Sequence, residues 1–230
     1  LLVSVSIFSA LAGLLTVQLT KSKLAAWATM LLIFSSFSLH TLITRFYTVH
    51  YIIGGIFSLA ALVVIYSKGT KSSSAWLPAI LILLAMMSKE IYLVLPPIVI
   101  LLSLWDRNYR LALGAFVALI LYLSLRIYIL GFSVDIDLER GYFDGFWNIS
   151  ASAWYDFLVW YSKTRIVLLL AAIGSLILCP VRMLSLLPLA LMFGLPPLAV
   201  PHGVLQPELH ADRMLFALDG ALAIVLIVSV

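Results

Sequence analysis

The sequence predicts an all-α, polytopic transmembrane helix bundle, and three observations predict it. Of 230 residues, 64% are hydrophobic and 10% charged, with a mean hydropathy of +1.16; soluble domains carry about 25% charged residues. Apolar runs of bilayer-crossing length recur along the chain. The charged residues fall mostly between those runs, as loop residues of a membrane protein do. The formal charge of +4 is then a property of loops, and it gives no argument for a nucleic-acid partner. One cysteine, Cys179, excludes an internal disulfide and any cysteine-based metal cluster.

The runs lie at 1–20, 24–44, 47–67, 75–105, 111–130, 166–180, 183–200 and 214–230. Lys21 and Lys23 part the first two, Arg45 the second and third, and Lys68 and Lys71 end the third. The run at 75–105 admits two readings. As one helix it would be about 46 Å long, against a core of about 30 Å. It would also hold Lys89 and Glu90 near its midpoint and Pro96-Pro97 in its interior. A charge at a helix centre costs about 2.5–3.5 kcal/mol to insert. As two helices, 75–88 and 91–105, it becomes a hairpin with Ser88-Lys89-Glu90 at its tip. The hairpin is the preferred reading and brings the expected number of crossings to about nine.

Charge counting alone does not choose the topology. The hairpin puts Lys21, Lys23, Lys68, Lys71, Arg107, Arg110 and Arg182 on one side, and Arg45, Lys89, Arg140, Lys163, Arg165 and Arg213 on the other. A single helix would give a clearer bias. The hairpin, however, gathers Glu90, Asp135, Asp137, Glu139, Asp144, Asp156, Glu208 and Asp212 on the outer side, opposite Asp106. His40, His50, His202 and His210 fall on or near that side too. The outer side is therefore where chemistry is expected.

The largest outer segment, 131–165, opens on Asp135-Ile136-Asp137-Leu138-Glu139 and continues into nine aromatics between Tyr142 and Tyr161. Trp147, Trp154, Leu158 and Tyr161 share one helical face. That stripe predicts a helix lying in the membrane interface over about 143–161. Asn148-Ile149-Ser150 fits an N-glycosylation pattern, which matters only in a eukaryotic secretory membrane.

Each candidate side chain has a chemical reading and a plainer one. Lys89 can hold a phosphate as a point charge, with Glu90 orienting it; the plainer reading is an ion pair at a helix end. Arg126 can grip an anionic headgroup, or it can snorkel to the interface. His40, Arg45 and His50, like His202 and His210, read as interfacial polar residues, because their spacing matches no metal motif. If the acidic stretch is extended, Asp135, Asp137 and Glu139 share a face. That face is solvated, or it supplies a general base in Asp137 or Glu139. No metal or other cofactor is indicated, although histidines and carboxylates on one side leave a divalent ion open.

Four stretches resemble the GT-C class of polyprenyl-phosphate-sugar glycosyltransferases, and within it the transmembrane, TPR-containing O-mannosyltransferases and their bacterial relatives. They are His40-Thr41-Leu42-Ile43-Thr44-Arg45 with Gly54-Gly55-Ile56-Phe57; Met87-Ser88-Lys89-Glu90 with Leu95-Pro96; Tyr122-Leu123-Ser124-Leu125-Arg126-Ile127-Tyr128-Ile129-Leu130-Gly131; and Asp212-Arg213-Met214-Leu215-Phe216. Thr41 stands where that family usually has proline. The resemblance implies transfer of a sugar from an isoprenoid-phosphate donor to a protein or glycan acceptor on the non-cytoplasmic side. It implies donor-phosphate contacts from Lys89, Arg126 and Arg213, with Glu90, His40, Arg45, His50 and Asp212 in support. It also implies that residues 1–230 form a single-domain fragment, without the family's first helix and first outer loop. The catalytic carboxylate is then expected upstream. The expected location is the bacterial plasma membrane, or the endoplasmic reticulum in a eukaryote. Two other classes fit the composition: a flippase or transporter of polyprenyl-linked sugars, and a non-catalytic membrane assembly subunit. An acidic pair in an outer loop upstream would favour the enzyme.

Overall fold

The computed structural model describes residues 2–35, 49–67 and 75–130, with helical positions at 155, 159, 163, 166 and 170 and within 219–228. The described elements are helical, and no strand occurs among them. They are α1 (Leu2–Thr20), α2 (Lys23–Phe34), α3 (Val49–Ser67), α4 (Trp76–Ser88), a 3₁₀ turn (Glu90–Val94), α5 (Leu95–Trp105) and α6 (Tyr109–Leu130). α1, α3 and α6 are long and apolar enough to cross a membrane. These three are the candidate membrane spans among the described residues. The runs at 166–180 and 183–200 lie outside the described residues, apart from the helical Ile166 and Leu170. Of the aromatic segment at 143–161, Tyr155 and Val159 are helical, and its lie against a membrane falls outside the described residues.

Two tight turns join neighbouring helices, and they solve the same problem in the same way. Helix ends leave carbonyls without partners, and a left-handed residue just past the end satisfies them. At the end of α1 that residue is Lys21, with φ 60°. Its N–H donates to the Val17 carbonyl at 2.7 Å. Ser22 then caps α2, its Oγ accepting from the Ala25 N–H at 3.2 Å. At the end of α5 the left-handed residue is Arg107, with φ 56°. The Asn108 N–H donates to the Ser103 carbonyl at 2.7 Å and the Arg107 N–H to the Leu104 carbonyl at 3.1 Å, the Schellman arrangement. Asn108 Oδ1 caps α6 through the Leu111 N–H at 3.2 Å. Glycine normally occupies the left-handed site, because a β-carbon there costs about 1–2 kcal/mol. Here both sites hold a cation.

The run at 75–105 breaks and turns back. Lys89 is extended, with φ −162° and ψ 140°, and ends α4. Ser88 Oγ folds back to accept no new partner outside the helix but donates to the Leu84 carbonyl at 2.8 Å. After the 3₁₀ turn, Pro96 and Pro97 stand in the first turn of α5, where their missing N–H groups have no helical partner to lose. The direction of return follows from distances. A β-carbon at Gly114 would lie 3.2 Å from the Ala75 carbonyl oxygen and 3.3 Å from Ala79 Cβ. Only nine residues separate Trp105 from Gly114. They reach about 23 Å at most, with four extended steps and five helical ones. A continuous helix from 75 to 105 would be roughly twice as long. α4 and α5 therefore run in opposite directions, and both lie along α6.

At about 20 Å and 17 Å, α4 and α5 are each shorter than the bilayer core of about 30 Å. The hairpin is thus present; of the nine expected crossings, three fall on described helices of bilayer-crossing length, and the rest fall on shorter helices or outside the described residues.

Phe8, Leu15, Ile33, Ile52, Leu59, Ile82, Met86 and Leu95 are fully buried between the helices. The opposite faces show Leu24, Leu31, Leu101, Leu113 and Ile129 to the outside. So large an apolar surface suits lipid and would be a liability in water. Tyr66, Trp76, Trp105 and Tyr109 are also exposed, and all lie at the end of the bundle away from Lys89. Aromatic rings at one level are the mark of a membrane–water interface.

The hairpin makes a topological prediction. In a Cys179→Ala background, single cysteines at Ser88 and Asn108 should react with an impermeant thiol reagent from opposite sides of sealed vesicles. Labelling of both from one side would contradict it.

Candidate site at the tip of the hairpin

The start of α3 and the hairpin tip meet at one end of the bundle. Lys89 Nζ lies 5.3 Å from the centroid of the Tyr51 ring, a cation–π distance. Tyr92, in the 3₁₀ turn, donates its hydroxyl to the Tyr51 carbonyl at 2.5 Å. Tyr92 is 4% exposed, so that hydrogen bond is shielded from competing water. The His50 ring is tilted against the Tyr51 ring, centroids 4.5 Å apart. Tyr51 therefore serves three contacts: its face supports the cation, its carbonyl anchors the turn, and its ring lies tilted against the histidine.

Glycine at two positions of α3 makes this possible. A β-carbon on Gly54 would overlap Cε2 and Cδ2 of Tyr92. One on Gly55 would fall 2.7 Å from Phe8 Cε2 and 3.2 Å from the Tyr92 hydroxyl. The Gly54-Gly55 pair is there for close approach, with the Tyr92 ring on one residue and Phe8 against the other. Phe8 in turn touches Gly220, where a β-carbon would meet the ring at 3.2 Å.

Arg126 stands at the same end. α4 meets Gly114 at its start and packs along α6, so the two helices run in the same direction. Lys89 is ten residues beyond Ala79, and Arg126 twelve beyond Gly114. At 1.5 Å per residue these are about 15 Å and 18 Å, which leaves the two cations level to within a turn. Arg126 Nη1 donates to the Tyr122 hydroxyl at 3.0 Å, and Tyr122 faces the core. The guanidinium is thus held back along its own helix on the buried side. That geometry argues against simple snorkelling, which would release it toward the near interface.

Of the residues singled out from sequence, Lys89, His50 and Arg126 come to this one end. Glu90 opens the 3₁₀ turn beside them. His40, Arg45, Asp135, Asp137, Glu139, His202, His210, Asp212 and Arg213 lie outside the described residues. Among the described residues no group of three metal-binding side chains occurs.

Comparison with protein-family models, characterised proteins and solved structures found no match for this chain.

Sequence reasoning missed three residues. Tyr51 and Tyr92 read as interfacial aromatics, and nothing in their spacing joins them across 41 positions. Asp219 did leave a signal: it is a carboxylate inside the apolar run 214–230. It is helical and 2% exposed, next to the Gly220 that Phe8 touches. Like Lys89, Asp219 is an ionisable residue kept within an apolar run, where such a group is costly unless it serves a function.

Proposed function

We propose that this chain is the membrane core of a glycosyltransferase of the GT-C kind, which moves a sugar from an isoprenoid-phosphate donor to an acceptor at the non-cytoplasmic face. One observation carries the reading. Lys89 sits at an extended break between two apolar helices, its ammonium against Tyr51 and its turn pinned by Tyr92. A cation fixed in this way does not have to be organised at the moment of reaction. The phosphate of the donor gains negative charge as the sugar leaves it. A held ammonium stabilises that developing charge more than it stabilises the bound donor, and such a difference accelerates the chemical step.

Arg126 supplies a second cation at the same level, with a planar fork suited to phosphate oxygens. By resemblance Arg213 and Asp212 join this group, with Glu90, His40, Arg45 and His50 in support. By resemblance, the base that takes the acceptor's proton is the carboxylate of the family's first outer loop, with Asp137 and Glu139 as the alternatives within the chain. The protein or glycan acceptor approaches from the outer side of a bacterial plasma membrane, or from the lumen of the endoplasmic reticulum.

A broken pair of short helices is also a transporter feature, and α4 and α5 are such a pair. One experiment separates the readings. Purified full-length protein is given a radiolabelled polyprenyl-phosphate sugar with acceptor, in detergent and in sealed vesicles. Transfer in detergent supports the enzyme. Movement of label across vesicles without transfer would replace it with the flippase.

A further inference from the structure

One buried charge takes no part in the chemistry above. Asp219 is 2% exposed, on a helical stretch whose Gly220, Ala221, Ala223 and Ile224 are also buried. A carboxylate is costly there, and a neutral residue would avoid that cost. Contacts place it. A β-carbon at Gly220 would lie 3.2 Å from Phe8 Cε1 and Cζ, at the tip of the ring. The neighbouring ring atom, Cε2, stands 2.7 Å from the β-carbon position of Gly55, which is 3.2 Å from the Tyr92 hydroxyl. Gly220 is therefore within about 11 Å of that hydroxyl, and Asp219 is the next residue. Gly55 itself lies one turn along α3 from Tyr51, whose ring faces the Lys89 ammonium. The carboxylate thus lies in the same half of the bundle as that ammonium, on the order of 15 Å from it.

The charges of the two lipids give such a carboxylate a use. A polyprenyl-phosphate sugar is a phosphodiester with one negative charge. In the transfer, the acceptor oxygen bonds to the anomeric carbon and gives its proton to the base. The bond from that carbon to the phosphate oxygen breaks, and its electron pair stays on the phosphate. The lipid left behind is a monoester carrying a charge of about −1.5 to −2. Two cations, Lys89 and Arg126, would hold this product more tightly than the donor, and its release would limit turnover. A fixed negative charge nearby opposes both lipids, and the product up to twice as strongly. We propose that Asp219 is that charge: it sets the preference of the Lys89–Arg126 site for donor over product and speeds release of the polyprenyl phosphate. The inference rests on the transferase reading. At about 15 Å and an effective dielectric constant of about 20, one such charge alters the affinity for a monoanion roughly sixfold. An apolar interior does little to screen it.

The test measures binding and turnover by full-length protein in phosphatidylcholine nanodiscs. The probes are a polyprenyl monophosphate and the corresponding polyprenyl-phosphate sugar. Asp219→Asn, which keeps the shape and removes the charge, should tighten the sugar donor about sixfold and the monophosphate roughly 15- to 40-fold. Both KM and kcat should then fall, with one rapid turnover followed by a slow steady state. Asp219→Glu should keep the parent's preference. A carboxylate with only a structural role gives the opposite sign, because a disturbed site binds both lipids more weakly. The parent alone supplies a second measurement that needs no variant to fold. Its monophosphate should bind no tighter than the donor, despite the extra charge. Monophosphate bound tenfold tighter by the parent would overturn the proposal. So would an Asp219→Asn affinity for monophosphate that is unchanged or weaker. Transfer with unaltered affinities would sink this role of Asp219 and leave the transferase standing. The predicted affinity changes without any transfer would do the reverse.

Discussion

Lys89→Ala in the full-length protein is expected to lower sugar transfer from a polyprenyl-phosphate donor by roughly 10- to 150-fold. The range corresponds to the loss of a charged hydrogen bond to phosphate, about 1.5–3 kcal/mol. The ammonium acts at short range and has no described substitute on its own turn, so the effect should fall on kcat more than on KM if it acts on the leaving phosphate. Lys89→Arg should recover only part of the rate. The flat guanidinium still stacks on Tyr51 but presents its donors along different directions. Arg126→Ala should produce a loss of the same order. His50→Ala should do less, since the histidines read as interfacial polar residues rather than phosphate ligands. The measurement is single-turnover transfer by purified protein, with thermal midpoints recorded to separate chemistry from folding. If transfer survives both alanine changes, the cations are helix-end structure and the phosphate role is gone.

Gly54→Ala is expected to be the most damaging small substitution in the described core. The added methyl falls on the Tyr92 ring, which is locked in place by its hydrogen bond to the Tyr51 carbonyl. Overpacking of a tight core costs about 1–3 kcal/mol. The ring has nowhere to move without breaking that bond, so the upper part of the range applies. Gly55→Ala meets Phe8 at 2.7 Å and should cost somewhat less, because that overlap is milder than the one between Gly54 and the Tyr92 ring. A second variant isolates the cause. Tyr92→Leu removes both the ring and the lock, and the added cost of Gly54→Ala should shrink in its presence. Additivity of the two changes in a thermal or denaturant titration would contradict this account, because residues in contact couple and distant ones do not. Since Tyr92 also pins the turn that carries Lys89, Gly54→Ala should lower transfer even where folded protein is recovered.

Composition and run length determined the class of this protein. A chain with so few charges and repeated long apolar segments is stable only where its outer faces meet lipid, and the exposed leucines and isoleucines of α1, α2, α5 and α6 bear this out. The break at Ser88-Lys89-Glu90 was legible too. Helix length, two prolines and the cost of a buried charge all argued the same way, and each is a local property of the chain. The gathering of Lys89, His50 and Arg126 toward one polar end was also legible in their positions along the chain.

What only the tertiary structure decided is how that end is built. Tyr51 and Tyr92 are 41 residues apart, and no periodicity links them. Gly54 and Gly55 could have been read as flexibility, and they turn out to be room for two rings. Arg126 could have snorkelled, and its hydrogen bond to Tyr122 holds it on the core side. The return of α5 along α6 is likewise fixed by packing, with α4 seated on Gly114. The physical reason is common to all four. Hydropathy is a sum over neighbours in sequence, whereas close approach, ring stacking and hydrogen bonding are set between helices, by which small residue faces which large one.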